Sequence, residues 1–182
     1  MSIINKLFIR FTYTKGNVYN NRQKRQCRGG GLMFWGMVMP NGLVTLKKLK
    51  GKVNSDTYIH MLETFAIPIM NLNMRPNYCF IQDNASVHVS TKTKNFLKSQ
   101  PFQLIDWPAK SPDINIMENV WKMISDIVYK DRQPKNVKEL ESEIVAAVLT
   151  INMEKLNVTK LLYSTFRERL TKLLTVSGNI IN

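Results

Sequence analysis

Acidic residues are missing from the opening of this chain: the first Asp or Glu is Asp56, after 55 residues that hold eleven Lys or Arg. Cysteine is scarce, with only Cys27 and Cys79, and so is histidine, with only His60 and His88. No cysteine pair has zinc-ligand spacing, so the sequence does not favour a structural zinc site, and both thiols read as free in a reducing compartment. Long hydrophobic runs are absent too. No apolar stretch approaches the roughly 18 residues of a membrane span, and MSIINKLFIRF is too short and interrupted for a secretory signal. These absences lead us to expect an intracellular chain without a membrane partner.

What is present is enough for one domain with a real core, since 44% of the 182 residues are hydrophobic. The 26 Lys and Arg against 13 acidic residues leave a net charge of +13. Such an excess suits a polyanionic partner, with nucleic acid favoured over an acidic membrane; the plainer alternative is a basic soluble domain.

Strand signals fill the first fifty residues. KLFIRFTY, a turn at Lys15-Gly16-Asn17 and VYN resemble a hairpin, and LMFWGMVM and LVTLKKL, split by Pro40-Asn41-Gly42, read as a second strand pair. The strands are expected near 7–14, 31–39 and 42–49. Between the pairs lies the basic, glycine-ended loop NRQKRQCRGGG. A helix capped by Asn54 or Ser55 should follow, with Tyr58, Met61, Leu62 and Phe65 on one face and Pro68 kinking or ending it. Next come a strand YCFIQD beside the first strand, a basic helix near VSTKTKNFLKS and a short strand FQLI. The loop WPAKSPDIN leads into a helix expected to start at Ser111-Pro112 and run through Tyr129. Two further helices are expected over about 136–150 and 153–174. The order βββ-α-β-α-β describes an α/β fold with a mixed sheet.

Two carboxylates stand out against this frame. Asp83 ends a strand of four strand-forming residues, Tyr78 to Ile81, where a carboxylate can reach the rim of a sheet. In the helix after SPDIN, Ile114, Met117, Trp121, Ile124 and Val128 form an apolar stripe, and Glu118 falls just beyond its edge. A strand-end Asp and a first-turn Glu on a helix packed against that strand can converge oxygen ligands on Mg²⁺. Each has a plainer reading as well: Asp before Asn forms turns, and Glu in a first turn suits the helix dipole. Thirty-four residues separate them.

The blocks around them are more specific. IQDNASVH, DWPAKSPDIN and MENVW resemble the QDNAPxH and WPxxSPDLNPIENxW blocks of mariner-type transposases of the DDE superfamily, and GGGLMFWGMVMPNG is similar to that family's GGGSxMVWGxxxxxG strand pair. The resemblance covers most of the chain. It implies a ribonuclease-H-like fold, a five-stranded mixed sheet flanked by helices, as one domain over 1–182 with a core at about 6–130 and C-terminal helices at about 134–176. It implies that Asp83 and Glu118 are the second and third carboxylates of a three-carboxylate site for Mg²⁺ or Mn²⁺. It further implies DNA as partner, a homodimer and the nucleus as location.

The chain departs from that pattern in places. The family's first ligand sits in a block like FSDESRF; matching RF to Arg10-Phe11 sets Leu7 at the aspartate and Phe8 at the glutamate. No carboxylate precedes Asp56, which looks like a helix start and a poor substitute. With two ligands, metal binding is expected to be weak. QKRQCR shortens a loop that in some members reaches a second subunit, which weakens the expected dimer, and Ile116 replaces the proline before the glutamate. Helix-turn-helix modules are not in this sequence, so the expectation is a truncated or decayed copy.

Nucleic acid is expected on Arg22, Lys24, Arg25 and Arg28 of the loop and on Lys92, Lys94 and Lys98 of the basic helix. His88 matches the family histidine and reads either as a phosphate contact or as a residue satisfied at a helix start. Trp107 packs a loop or stacks on DNA, while Trp35 and Trp121 read as core. Two functions stay open: a metal-dependent DNA nuclease and strand transferase, or a non-enzymatic DNA-binding remnant recruited by its host.

Overall fold

A computed structural model describes residues 3–12, 31–73, 78–105, 115–131 and 133–153, the first of these segments as backbone alone. Strands β1 (Ile3–Thr12), β2 (Gly31–Val38) and β3 (Val44–Leu49) pair antiparallel in sequence. β1 begins earlier than the expected residue 7 because Ile3 and Ile4 already pair with β4 (Cys79–Ile81), parallel, on its other side. β5 (Gln103–Ile105) pairs parallel with β4, giving the order β3-β2-β1-β4-β5. This is the five-stranded mixed sheet, with the YCFIQD strand beside the first. The turn at Pro40-Asn41-Gly42 closes the β2-β3 hairpin, and Gly42 takes a φ of 88°, which a side chain would strain. The VYN strand, the basic loop, Trp107, Ser111-Pro112 and the helix beyond Met153 lie outside the described residues.

β2 reads as a nearly continuous apolar run because the sheet is covered on both faces. Leu32, Phe34 and Val38 face one core with α5 (Ile116–Val128) and α6 (Val137–Met153). The intervening Trp35 and Met37, with Met39 just past the strand, face a second core, filled by α1 (Ser55–Met61), α2 (Ile67–Asn73), Phe80 and Leu97 of α4 (Thr91–Lys98). Trp35 and Trp121 are buried, as expected of core residues. In α5 the buried stripe is Ile116, Met117, Val120, Trp121, Ile124 and Val128.

Asn54 caps α1 in a reciprocal box with Thr57, whose N–H donates to its side chain at 2.9 Å. Pro68 does not end this helix. A π-helical turn over Leu62–Ala66, in which the Ile67 N–H reaches Leu62 O, precedes the proline, and the chain stays helical to Asn73. Proline lacks an N–H and crowds the carbonyl four residues back, so widening the turn before it relieves both problems. α5 likewise departs from expectation: Asn115 is extended (φ −77°, ψ 107°) and caps Met117 N–H at 3.0 Å, so no unbroken helix runs from Ser111. This start leaves Glu118 in the first turn.

β3 is an edge strand. Asn152 of α6 covers it, accepting from Val44 N–H at 2.8 Å and donating to Val44 O at 2.9 Å. Lys48 pairs with Glu141 of the same helix at 2.5 Å. Edge lysines and a covering helix both discourage pairing with another chain.

Candidate active site

Asp83 follows β4 by two residues. Its Oδ1 accepts from Ala85 N–H at 3.0 Å, the local turn that an Asp before Asn-Ala favours, and also from His88 Nδ1. The register of β1 against β4 runs Ile3 to Cys79 and Ile4 to Phe80. Carried on three residues, it sets position 7 beside Asp83. On its other side position 7 pairs with Gly36 of β2.

Gly36 is where α5 comes closest to the sheet. A Cβ there would stand 2.4 Å from Trp121 Cη2 and 2.7 Å from Met117 Cε, so only glycine admits the helix at this depth. Met117 precedes Glu118. The end of β4, position 7 of β1 and the first turn of α5 therefore meet in one region of the sheet.

Electrostatics ties the two acids together. The Glu118 carboxyl is pushed above its ordinary range, first by burial and then by the charge of Asp83. Both effects disfavour a second negative charge in a half-buried place, and a bound cation relieves both. Two carboxylates are suitable ligands for a hard, oxygen-preferring ion such as Mg²⁺. They fit one ion. A two-ion clamp needs a bridging ligand, and among the described residues no group of three or more His, Cys, Asp or Glu gathers here. Position 7, which the register carries alongside Asp83, is leucine.

His88 is fully buried, in the short helix α3 (Ser86–Val89), and bonds to Asp83, an arrangement in keeping with the reading of a histidine held at a helix start. Its ring lies 4.7 Å from that of Tyr58. Tyr58 Oη donates to Gln82 Oε1 at 3.0 Å, and Gln82 Nε2 donates to His88 O at 3.1 Å. Sequence reasoning passed over Tyr58, which looked like one more apolar residue of a stripe, and Gln82, although the QDN block contains it. A phenol on a helix face that meets a strand end was the available signal.

Among the basic residues, Lys92, Lys94 and Lys98 are exposed on α4. Lys92 pairs with Asp56 at the start of α1, which places that carboxylate in a surface ion pair. Arg22, Lys24, Arg25 and Arg28 lie outside the described residues. No described helix is long and apolar enough to cross a membrane.

Comparison with known proteins agrees with this geometry. Residues 9–141 match the model of the DDE superfamily endonuclease family. The chain is 32% identical over 160 residues to the transposable element Tc3 transposase of Caenorhabditis elegans, covering 87% of this chain and 48% of that protein. It is 28% identical over 125 residues to the Tcb1 transposase of Caenorhabditis briggsae, covering 69% and 45%. The chain thus spans about half the length of these relatives. Among solved structures, the Mos1 mariner transposase catalytic domain superposes with a TM-score of 0.72 at 13% identity, over 99% of this chain and 84% of that one. The Mos1 paired-end complex with the left transposon end gives 0.77 at 13%, over 99% and 56%. These likenesses show the ribonuclease-H-like fold. With the family match over most of its length and the Tc3 relative, the chain belongs to the DDE superfamily endonucleases, alongside the mariner-type transposases.

Proposed function

We propose that this chain is a DNA-binding transposase-type domain whose site holds a single divalent cation weakly, between Asp83 and Glu118, and binds DNA without cutting it efficiently. The observation that carries this reading is the coupling of the two carboxylates beside a leucine at position 7. A divalent ion supplies, when bound, charge neutralisation for a phosphodiester and acidity for a coordinated water. Asp83 and Glu118 would hold it. Phosphoryl transfer depends almost wholly on positioning and charge stabilisation, so a missing bridging carboxylate removes most of the rate rather than a fraction.

The net charge of +13 supports DNA as partner, through Arg22, Lys24, Arg25, Arg28, Lys94 and Lys98. Mos1 structures are described with Mg and with Mn, and in complex with transposon ends, which supports carrying the metal and the DNA to this chain. A nuclear location follows from DNA as substrate. The homodimer remains part of the proposal, weakened by the short basic loop. The second reading, an active nuclease and strand transferase, needs a ligand from elsewhere.

The test is a metal titration of the purified chain with Mn²⁺ by electron paramagnetic resonance. One weak site that Asp83→Ala and Glu118→Gln each abolish is the expected result. Undiminished binding in Asp83→Ala overturns the site.

A further inference from the structure

Asp83 is held by more than its own turn. Both of its contacts described above use Oδ1, and one of them comes from a buried side chain whose own place is fixed by two others. A carboxylate only accepts hydrogen bonds, so His88 Nδ1 carries the proton, which it also shares with Asp83 O at 3.2 Å. The His88 ring lies against Tyr58, and Gln82 ties the Tyr58 hydroxyl to the His88 carbonyl. Tyr58 belongs to α1, so the chain Tyr58-Gln82-His88-Asp83 runs from a helix on one face of the sheet to the carboxylate at its rim. Every member except Asp83 is buried.

We propose that His88, seated by Tyr58 and Gln82, is a positioning residue for metal binding. It fixes the plane of the Asp83 carboxylate and thereby the direction in which Oδ2 is presented. This rests on the reading of Asp83 as a metal ligand. A surface Asp in a turn can rotate about χ1 and χ2; a bond from a fully buried imidazole removes that freedom before any ion arrives. Partners of this kind behind a ligand typically set 10- to 100-fold in metal affinity. A site with few ligands depends more on such pre-orientation, since among the described residues no third carboxylate joins the pair to hold the ion in place.

The experiment exploits which ring nitrogen acts. The amide nitrogen of Asn stands where His Nδ1 stands, and that of Gln reaches the place of Nε2. Mn²⁺ binding is measured on the unaltered chain and on His88→Asn, His88→Gln, His88→Leu and Asp83→Ala, each shown folded by circular dichroism. His88→Asn should bind within about 3-fold of the unaltered chain, while His88→Gln and His88→Leu should bind at least 10-fold more weakly. A purely structural role would instead order the variants by their melting temperatures. Equal affinity in Asn and Gln variants overturns the proposal, even if Asp83→Ala abolishes binding, which would leave the metal site standing. Binding that survives Asp83→Ala overturns the site itself. Should His88→Leu not fold, the Asn and Gln pair decides, because both are polar and close in size to histidine.

Discussion

Burial, and after it the negative charge of Asp83 just past β4, raises the carboxyl of Glu118 in the first turn of α5. A strand end and a helix start with 34 residues between them in sequence thus share one electrostatic environment. Folding brings like charges together here at a cost, and such costs mark sites kept for something other than stability.

That cost has a sign that can be measured. Glu118 has a higher proton affinity in the folded chain than unfolded, so its contribution to stability is fully present below the unfolded glutamate pKa and is lost as pH rises through the folded value. Glu118→Gln should therefore be more stable than the unaltered chain at pH 7, with the gain shrinking as pH falls into the ordinary glutamate range. Urea denaturation across that range checks it. Asp83→Asn should lower the folded pKa of Glu118 without restoring it fully, because burial acts first.

Gly36 sets the depth of α5. Gly36→Ala puts a methyl into Trp121 and Met117, and overpacking of this kind costs about 1–3 kcal/mol. If the helix yields by lifting its first turn, Mn²⁺ affinity should fall together with the melting temperature. Stability unchanged in the alanine variant would contradict the packing described.

Asn152 covers the edge of β3. Asn152→Ala leaves Val44 N–H and C=O without their side-chain partner and should cost about 1–3 kcal/mol by urea denaturation. Lys48→Ala, which removes a half-exposed ion pair with Glu141, should cost less, about 0–1 kcal/mol.

DNA affinity should fall steeply with salt, by a log-log slope near −0.9 for each phosphate neutralised. Replacing Arg22, Lys24, Arg25 and Arg28 by alanine should weaken binding and flatten that slope. Fluorescence anisotropy on a labelled duplex measures both; a slope near zero, or binding unchanged in the fourfold variant, would contradict the assignment.

Much of this was legible in the chain. The strand order and the α5 stripe follow from patterns of period 2 and 3.6, since burial on one face leaves a periodic mark, whereas Asp83 and Glu118 stood out through short motifs. Bounds were less legible where a local signal was overruled. Pro68 reads as a kink or an end to its helix, and a π turn ahead of it keeps the chain helical to Asn73; Ser111-Pro112 lies outside the described residues, and Asn115 caps α5. His88 was visible as a motif letter, but its bond to Asp83 five residues away was not, because that depends on how α3 turns back over Tyr58. Gly36 was visible only as a motif letter; its reason is the indole above it.

Leu7→Asp should raise Mn²⁺ affinity more than any other single change, since position 7 pairs with Gly36 and stands in register with Asp83. The same change should lower stability, because a charge placed in a strand position that holds leucine loses hydration. Leu7→Asn, without the charge, should give the stability loss with little gain in affinity.

The central claim is that this chain holds two parts of a three-carboxylate site and does not cut DNA efficiently. The most direct measurement is nicking of supercoiled plasmid by the purified chain in Mg²⁺ and in Mn²⁺, beside Asp83→Ala prepared identically. The account predicts open-circle product no greater for the unaltered chain than for Asp83→Ala. Nicking by the unaltered chain that Asp83→Ala abolishes would contradict it.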